Sequence, residues 1–168
     1  MPALMDFPLT SLTDQLDTPI QVENLIGSII LLNFWSTECP SCEQTDRELV
    51  DVKRSFPTLV MIAILSNQNE NSSRARELFR QRGYDHLWID QGAQFAHLWE
   101  AMITPTAMIF NESGQLRYWG AINDQTFRKK KSEVNYIYST LVNMKKGLEA
   151  DPNRTHPYGC VIVDTQPV

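Results

Sequence analysis

The sequence contains no apolar run long enough to cross a membrane. Its apolar runs, such as Ile29–Leu32, which is followed by Asn33, are far shorter than the ~20 residues that a membrane-spanning helix needs. The N-terminus lacks the basic start and the apolar core of a secretory signal. We therefore expect no membrane span. We expect an extracytoplasmic (periplasmic) protein if a signal peptide was removed ahead of Met1, and a cytoplasmic protein otherwise.

Basic residues are also in short supply. Lys and Arg together number 15 against 20 Asp and Glu, which gives a formal net charge of −5. A nucleic-acid binder needs a basic surface to neutralise phosphates, so we expect no nucleic-acid partner. The 168 residues, 42% of them hydrophobic, are sufficient for one ordinary globular domain.

Cysteine is scarce, with only Cys39, Cys42 and Cys160 present. This odd count argues against a fold that depends on a disulfide framework. A zinc site needs further ligands, and neither a second Cys-x-x-Cys nor a His-x-x-x-His is present. The sequence therefore predicts no metal site and no cofactor, and it favours redox chemistry at the Cys39/Cys42 pair.

Two kinds of apolar pattern alternate along the chain. Continuous β-branched and aromatic runs predict buried strands, whereas apolar residues at helical spacing predict helices. The predicted strands cover 28–35, 58–65, 86–89, 106–111 and 115–120. The predicted helices cover 39–56, a segment from Ser72 or Ser73 to just before Gly83, a segment near 92–101, and a last helix that begins at Ser132. This order predicts an α/β fold with a central mixed β-sheet flanked by helices.

The chain divides into one domain and a tail. We expect the domain to cover 1–150, with an N-terminal hairpin over 7–26, and an extended C-terminal tail to cover 151–168. The tail contains Cys160, which has two interpretations. It is an inert packed thiol that fixes the tail, which the small apolar character of cysteine favours, or a third redox cysteine that relays to Cys42 or to a partner chain.

The segment Cys39-Pro40-Ser41-Cys42 lies where a buried strand has ended and a helix begins. A helix N-terminus presents unpaired N–H groups and the positive end of the dipole, which favour a thiolate at Cys39. The neighbouring charge of Glu38 opposes that effect. Cys42 lies one turn further on, within bridging distance of Cys39. We therefore expect Cys39 to attack a target disulfide and Cys42 to release the product.

A second feature, Thr104-Pro105, directly precedes a predicted strand about sixty residues after the cysteine pair. In combination with that pair it predicts a cis Thr104–Pro105 bond, with Pro105 packed against the cysteines. The exposed backbone of Thr104 would then pair with an extended segment of a substrate.

The sequence resembles the thioredoxin superfamily, specifically its TlpA-like and redoxin branches. The matching segments are 33–42, Thr104-Pro105-Thr106, the hairpin 110–115, the stretch 120–124 and the Gly-Cys-x-Ile ending within 155–162. The resemblance implies a thioredoxin-like fold.

The resemblance also implies an activity and a set of site residues. The activity is that of a thiol–disulfide oxidoreductase, which exchanges a Cys39/Cys42 dithiol or disulfide with protein disulfides or thiols and uses an unidentified electron donor or acceptor. The implied catalytic residues are Cys39 and Cys42. The implied substrate-binding residues are Thr104, Pro105, Trp35, Pro40 and Ser41, of which Trp35 is expected to pack beneath the active-site turn.

Two positions depart from the pattern of the superfamily. Many thioredoxins have a buried Asp where this chain has Asn33, and TlpA-like proteins often have a Glu where it has Thr45. Neither residue accepts a proton, so the sequence identifies no base for Cys42. It leaves open whether the protein is a reductant, an oxidant or an isomerase, and it leaves the oligomeric state open.

Two alternatives share the expected fold. A peroxiredoxin-like peroxidase would show a Pro-x-x-x-Thr-x-x-Cys pattern, but Leu32 and Ser36 stand at the corresponding positions before Cys39. A metal-binding redox chaperone of the copper-delivering kind would use Cys-x-x-x-Cys with a distal His, and the spacing here is one residue shorter. Both alternatives rank below the oxidoreductase.

Overall fold

A computed structural model describes residue 25 and residues 27–164 of the chain. The N-terminal hairpin predicted over 7–26 lies outside the described residues, apart from Leu25, which is buried in the core. No helix among the described residues is long and apolar enough to cross a membrane.

The centre of the fold is a five-stranded mixed sheet. Within the described residues the strands are β1 (Ile30–Phe34), β2 (Val60–Leu65), β3 (His86–Ile89), β4 (Ile103–Thr104), β5 (Thr106–Phe110), β6 (Leu116–Gly120) and β7 (Cys160–Val161). The large sheet has the order β3-β2-β1-β5-β6, while β4 and β7 form a separate pair. Strands β1, β2 and β3 are parallel, and β5 is antiparallel to both β1 and β6. The predicted mixed sheet, with the first two long strands as parallel neighbours, is confirmed.

Helices cover the sheet on both sides. They are α1 (Pro40–Ser55), α2 (Ser72–Leu78), α3 (Gln94–Leu98) and α4 (Tyr136–Lys145). Side chains of β1 point alternately to the two faces. Leu31 belongs to the same core as Leu49 of α1 and Ile137 of α4, whereas Leu32 belongs to a second core with Ala96 of α3. Burial on both faces explains why β1 is a continuous apolar run in the sequence.

The last helix begins later than the sequence predicts. Helix α4 starts at Tyr136, and the side chain of Asn135 caps it by accepting a hydrogen bond from the Tyr138 N–H at 2.9 Å. Ser132, the predicted start, instead donates its hydroxyl to Asp124 in the preceding loop at 3.0 Å. Ser and Asn are both good helix caps. Because the Ser132 hydroxyl is bonded to Asp124, Asn135 caps the helix instead.

The C-terminal segment returns to the domain after α4. The Thr155 hydroxyl accepts a hydrogen bond from the N–H of Ala121 at 2.8 Å. It also forms a hydrogen bond with the Tyr118 hydroxyl at 2.5 Å. Strand β7 then pairs antiparallel with β4, with Cys160 opposite Thr104 and Val161 opposite Ile103. Strand β7 of the tail therefore lies beside the strand that precedes Pro105.

The position of the α4 cap leads to a stability prediction. Asn135→Ala should lower the free energy of unfolding by about 1 kcal/mol, because it removes the acceptor for an orphan helix N–H. Ser132→Ala, at the start that the sequence predicts, should lower it by less, since Ser132 caps no helix here. Urea unfolding of both variants measures the difference. A larger loss for Ser132→Ala would place the start of the helix where the sequence predicts it.

Candidate active site

Cys39 occupies the junction between β1 and α1. It is the N-cap residue of α1, with extended backbone angles (φ −88°, ψ 118°), and Pro40 follows at the first helical position. The Cys39 carbonyl accepts the N–H of Cys42 at 3.0 Å. Proline is favoured at this position because its fixed φ suits the first turn and its missing N–H needs no partner there. The predicted placement of Cys39 at a helix N-terminus is confirmed.

The loop before Cys39 is held by a carboxylate from another part of the chain. Glu70 accepts hydrogen bonds from both the N–H and the hydroxyl of Thr37, at 2.5 and 2.6 Å. The hydroxyl of Ser36 accepts the N–H of Glu38 at 3.2 Å. These contacts hold the backbone that leads into Cys39, and none of them involves the sulfur of Cys39.

The sulfur of Cys39 is bonded to Cys160. The two residues form a disulfide across 121 residues of sequence, with a Cα–Cα distance of 6.1 Å. Cys42 is a free, buried thiol. The favoured interpretation of Cys160 as an inert packed thiol is therefore wrong, because its sulfur is joined to the expected nucleophile.

The Thr104–Pro105 bond is cis, as predicted. The carbonyl oxygen of Thr104 lies 3.6 Å from Cys39 Sγ, so this strand faces the cysteine that starts the helix. The backbone of Thr104 is paired with Cys160 of β7, and its hydroxyl donates to the Cys160 carbonyl at 3.4 Å. The expectation of an exposed Thr104 edge is therefore corrected, since the chain's own tail covers it.

The other residues assigned to substrate binding differ in exposure. Pro40 is exposed and Ser41 is half-buried, so both line the surface beside Cys39. Trp35 is fully buried beneath the turn, and its indole N–H donates to Asp46 at 2.9 Å. Trp35 supports the cysteines from inside and offers no surface to a substrate in this structure.

A buried polar network centred on Asp46 lies beneath Cys42. Besides the indole of Trp35, the Asp46 carboxylate accepts the Arg82 Nε–H at 2.6 Å and the Tyr84 hydroxyl at 2.5 Å. The Tyr84 oxygen is also 2.7 Å from the side-chain amide of Asn33. Burial raises the pKa of the Asp46 carboxyl, and its three hydrogen-bond donors and the Arg82 charge oppose that rise. Asp46 is therefore a carboxylate whose affinity for a proton is increased by its surroundings.

Burial also controls the ionisation of Cys42. It raises the pKa of the thiol from 9.0 to about 12, and the negative charge of Asp46 adds to the rise. The backbone of Ser36, the side chain of Thr104 and the charge of Arg82 act in the opposite direction. Cys42 is therefore a neutral thiol at neutral pH, and it becomes a nucleophile only when a nearby group takes its proton.

Sequence reasoning missed Asp46 as a partner of Cys42. The signal was present, because residues four apart in a helix share a face and Asp46 follows Cys42 by four. Thr45, one position earlier, instead donates its hydroxyl to the Ser41 carbonyl at 3.0 Å. The contributions of Arg82 and Tyr84 had no such local signal, since both come from a distant turn.

The raised pKa of Cys42 predicts a pH dependence of stability. Between pH 9 and pH 12 the folded protein keeps a thiol proton that the unfolded chain releases. The protonated Cys42 thiol therefore makes its full contribution to the free energy of unfolding below pH 9, and this contribution is lost as the pH rises toward 12. Near pH 10.5 it should have fallen by about 2 kcal/mol.

The measurement compares urea unfolding of the native chain and of Cys42→Ala near pH 8 and near pH 10.5. The native chain should lose about 2 kcal/mol more than the variant between the two conditions. Every other titratable group is present in both proteins, so the difference between the two losses reports the removal of the Cys42 thiol. Equal losses would contradict the raised pKa.

Comparison with known proteins places the chain in a family. Residues 27–116, more than half of the chain, match a thioredoxin-like family. The thiol-disulfide oxidoreductase ResA of Halalkalibacterium halodurans is 26% identical over 98 residues, which cover 58% of this chain and 56% of that protein. The chain thus matches little more than half the length of this relative.

Two solved structures share the architecture over most of their length. An uncharacterized conserved protein of Geobacillus kaustophilus superposes with a TM-score of 0.78 at 20% identity, over 100% of this chain and 95% of that one. A hypothetical protein of Sinorhizobium meliloti superposes with a TM-score of 0.71 at 21% identity, over 83% and 81%. The match over 27–116, in a chain with this sheet order, shows that the protein belongs to the thioredoxin-like family.

Proposed function

We propose that this protein is a thiol–disulfide oxidoreductase that exchanges a Cys39/Cys42 dithiol or disulfide with protein disulfides or thiols. One observation carries the proposal. Cys39 forms a disulfide with a cysteine that lies on a strand paired to Thr104. A protein substrate captured as a mixed disulfide would present the same arrangement, with its cysteine on an extended segment beside this strand.

The reductive direction takes two exchanges. The Cys39 thiolate, favoured by the N-terminus of α1, attacks one sulfur of a substrate disulfide and expels the other as a thiolate. The Cys42 thiolate then attacks the Cys39 sulfur, which forms the Cys39–Cys42 disulfide and releases the second substrate sulfur. An external dithiol restores the pair by the same chemistry. The oxidative direction runs these steps in reverse.

We assign the proton acceptor for Cys42 to Asp46. Asp46 lies one helical turn beyond Cys42, and its pKa is raised by burial. The Asp46 charge raises the pKa of Cys42, so thiolate and carboxylate disfavour each other. Transfer of the thiol proton to Asp46 avoids two adjacent negative charges, and the single charge that remains stays close to Arg82.

The Asn33 side-chain amide lies 2.7 Å from the Tyr84 oxygen, and the Tyr84 hydroxyl donates to Asp46 at 2.5 Å. Asn33, which cannot itself accept a proton, thus contacts a residue that hydrogen-bonds to the proposed acceptor.

The activity is tested with a peptide disulfide and dithiothreitol as the electron source. Cys39→Ser should reduce the rate to that of dithiothreitol alone, because the attacking sulfur is lost. Ser55→Ala, at the exposed end of the same helix, serves as the matched control and should retain the full rate. Retention of activity by Cys39→Ser would overturn the proposed function.

The role of Asp46 is tested in a Cys160→Ser background, where Cys42 is the only thiol available to resolve a mixed disulfide. Asp46→Asn should slow the resolving step near pH 7 by about 10²-fold, because general-base assistance is lost. The slowing should shrink as the pH rises, since hydroxide then removes the proton. Rapid-quench measurement of mixed-disulfide decay across pH gives the profile.

The control for this experiment removes a carboxylate that is exposed on the same helix. Glu43→Gln should leave both the rate and the pH profile unchanged. A purely structural role of Asp46 would slow the step equally at every pH, and that result would contradict the assignment.

A further inference from the structure

The segment around Cys160 lies where the proposed function places a substrate. Cys160 pairs with Thr104, Val161 pairs with Ile103, and the N–H of Ile162 donates to the Met102 carbonyl at 2.9 Å. The segment therefore makes backbone contacts along the whole β4 edge. The disulfide to Cys39 completes the arrangement that is expected for a captured substrate.

Gly159 shows how closely this segment fits. A Cβ at this position would lie 2.0 Å from the Thr104 carbonyl oxygen and 3.1 Å from Pro105 Cδ. Only glycine allows the backbone to approach the β4 edge at this distance. The residue before Cys160 thus permits the approach of its sulfur to Cys39.

The tail is anchored on both sides of Cys160 by contacts that do not involve sulfur. Thr155 binds the end of β6, as described above, five residues before Cys160. On the other side, the N–H of Val163 donates to Asn67 Oδ1 at 3.2 Å, and the N–H of Gln68 donates to the Val163 carbonyl at 3.0 Å. A thiol tethered at this range acts on Cys39 with an effective concentration in the millimolar range or above.

The tail also closes access to the nucleophile. With β7 in place, Cys39 is only 2% exposed. A protein disulfide reaches this sulfur only after β7 has left the β4 edge. Substrate and tail therefore compete for one backbone edge and for one sulfur atom.

We propose that Cys160 is a third catalytic cysteine, which resolves the mixed disulfide between Cys39 and substrate in competition with Cys42. This inference rests on the proposed function, because it requires Cys39 to be the nucleophile. In the step, the Cys160 thiolate attacks the Cys39 sulfur of the mixed disulfide. The Cys39–Cys160 bond forms, the bond from Cys39 to the substrate breaks, and the substrate leaves as a thiolate that takes up a proton from water.

The two resolving cysteines lie in different environments. Cys160 is half-buried on the tail, whereas Cys42 is fully buried and its pKa is raised. Because Cys160 is partly exposed, water can take its proton when the sulfur attacks as a thiolate. After this step Cys42 is still a free thiol, as it is in the structure. A later attack of the Cys42 thiolate on Cys39 transfers the disulfide to Cys39–Cys42 and frees Cys160.

The test follows the fate of a glutathione adduct on reduced protein in a Cys42→Ser background. Oxidised glutathione is added briefly and then removed, and intact-mass spectrometry follows the mixed disulfide. In Cys42→Ser, the adduct should convert to an internal Cys39–Cys160 disulfide at a rate independent of protein concentration. In Cys42→Ser/Cys160→Ser, the adduct should persist at least ~10-fold longer, because no internal thiol remains.

A second pair of variants tests the packing of β7 against β4 and leaves Cys39 and Cys160 unchanged. Gly159→Ala in the Cys42→Ser background should prolong the adduct severalfold, since the added Cβ meets the Thr104 carbonyl. His156→Ala, which changes an exposed side chain of the same tail, should behave like Cys42→Ser alone.

The outcomes separate this inference from the proposed function. An adduct on Cys39 that persists equally in the Cys42→Ser and the double variant would overturn the role of Cys160 and leave the proposed function in place. Failure of the double variant to form any adduct would overturn the proposed function, and the role of Cys160 with it.

Discussion

The buried carboxylate of Asp46 determines how three parts of the chain meet beneath the cysteines. A charge in this position is stable only where donors surround it, because the residue is only 2% exposed. The donors come from Trp35 at the end of β1 and from Arg82 and Tyr84 in the turn that follows α2. Helix α1 therefore packs against both the end of β1 and this turn. That packing buries Cys42 and gives its sulfur a high pKa.

Much of the fold could be predicted because its signals are local. Strand β1 is buried on both faces, so its apolar run is continuous, and α1 begins directly at Cys39 with Pro40 in the first turn. The cis Thr104–Pro105 bond followed from its place before a strand in a chain with a Cys-x-x-C pair. The first two features are determined by neighbouring residues, which the sequence presents side by side, whereas the third was predicted from two motifs about sixty residues apart.

Apart from the local spacing of Cys42 and Asp46, the features that were missed depend on contacts between distant residues. Arg82 reaches Asp46 across 36 residues, and neither residue has a periodic pattern that marks the pair. Strand β7 has two residues, which is too short for any alternation to appear. Its place beside Thr104 arises from anchors such as Thr155, and these act through hydrogen bonds to β6 and its following loop. Such contacts leave no mark in the local sequence.

The close approach of Gly159 to the Thr104 carbonyl has a consequence for recognition. The tail is a peptide of known sequence that pairs with β4, so its residues show which side chains can be accommodated at this edge. A peptide that follows the same path has to place a residue without a side chain immediately before its cysteine. The residue after that cysteine is less restricted, because Val161 is 69% exposed at the corresponding position. Under the proposed function, selection among partners would act on how closely a backbone can approach the Thr104 carbonyl oxygen, as the segment around Gly159 does.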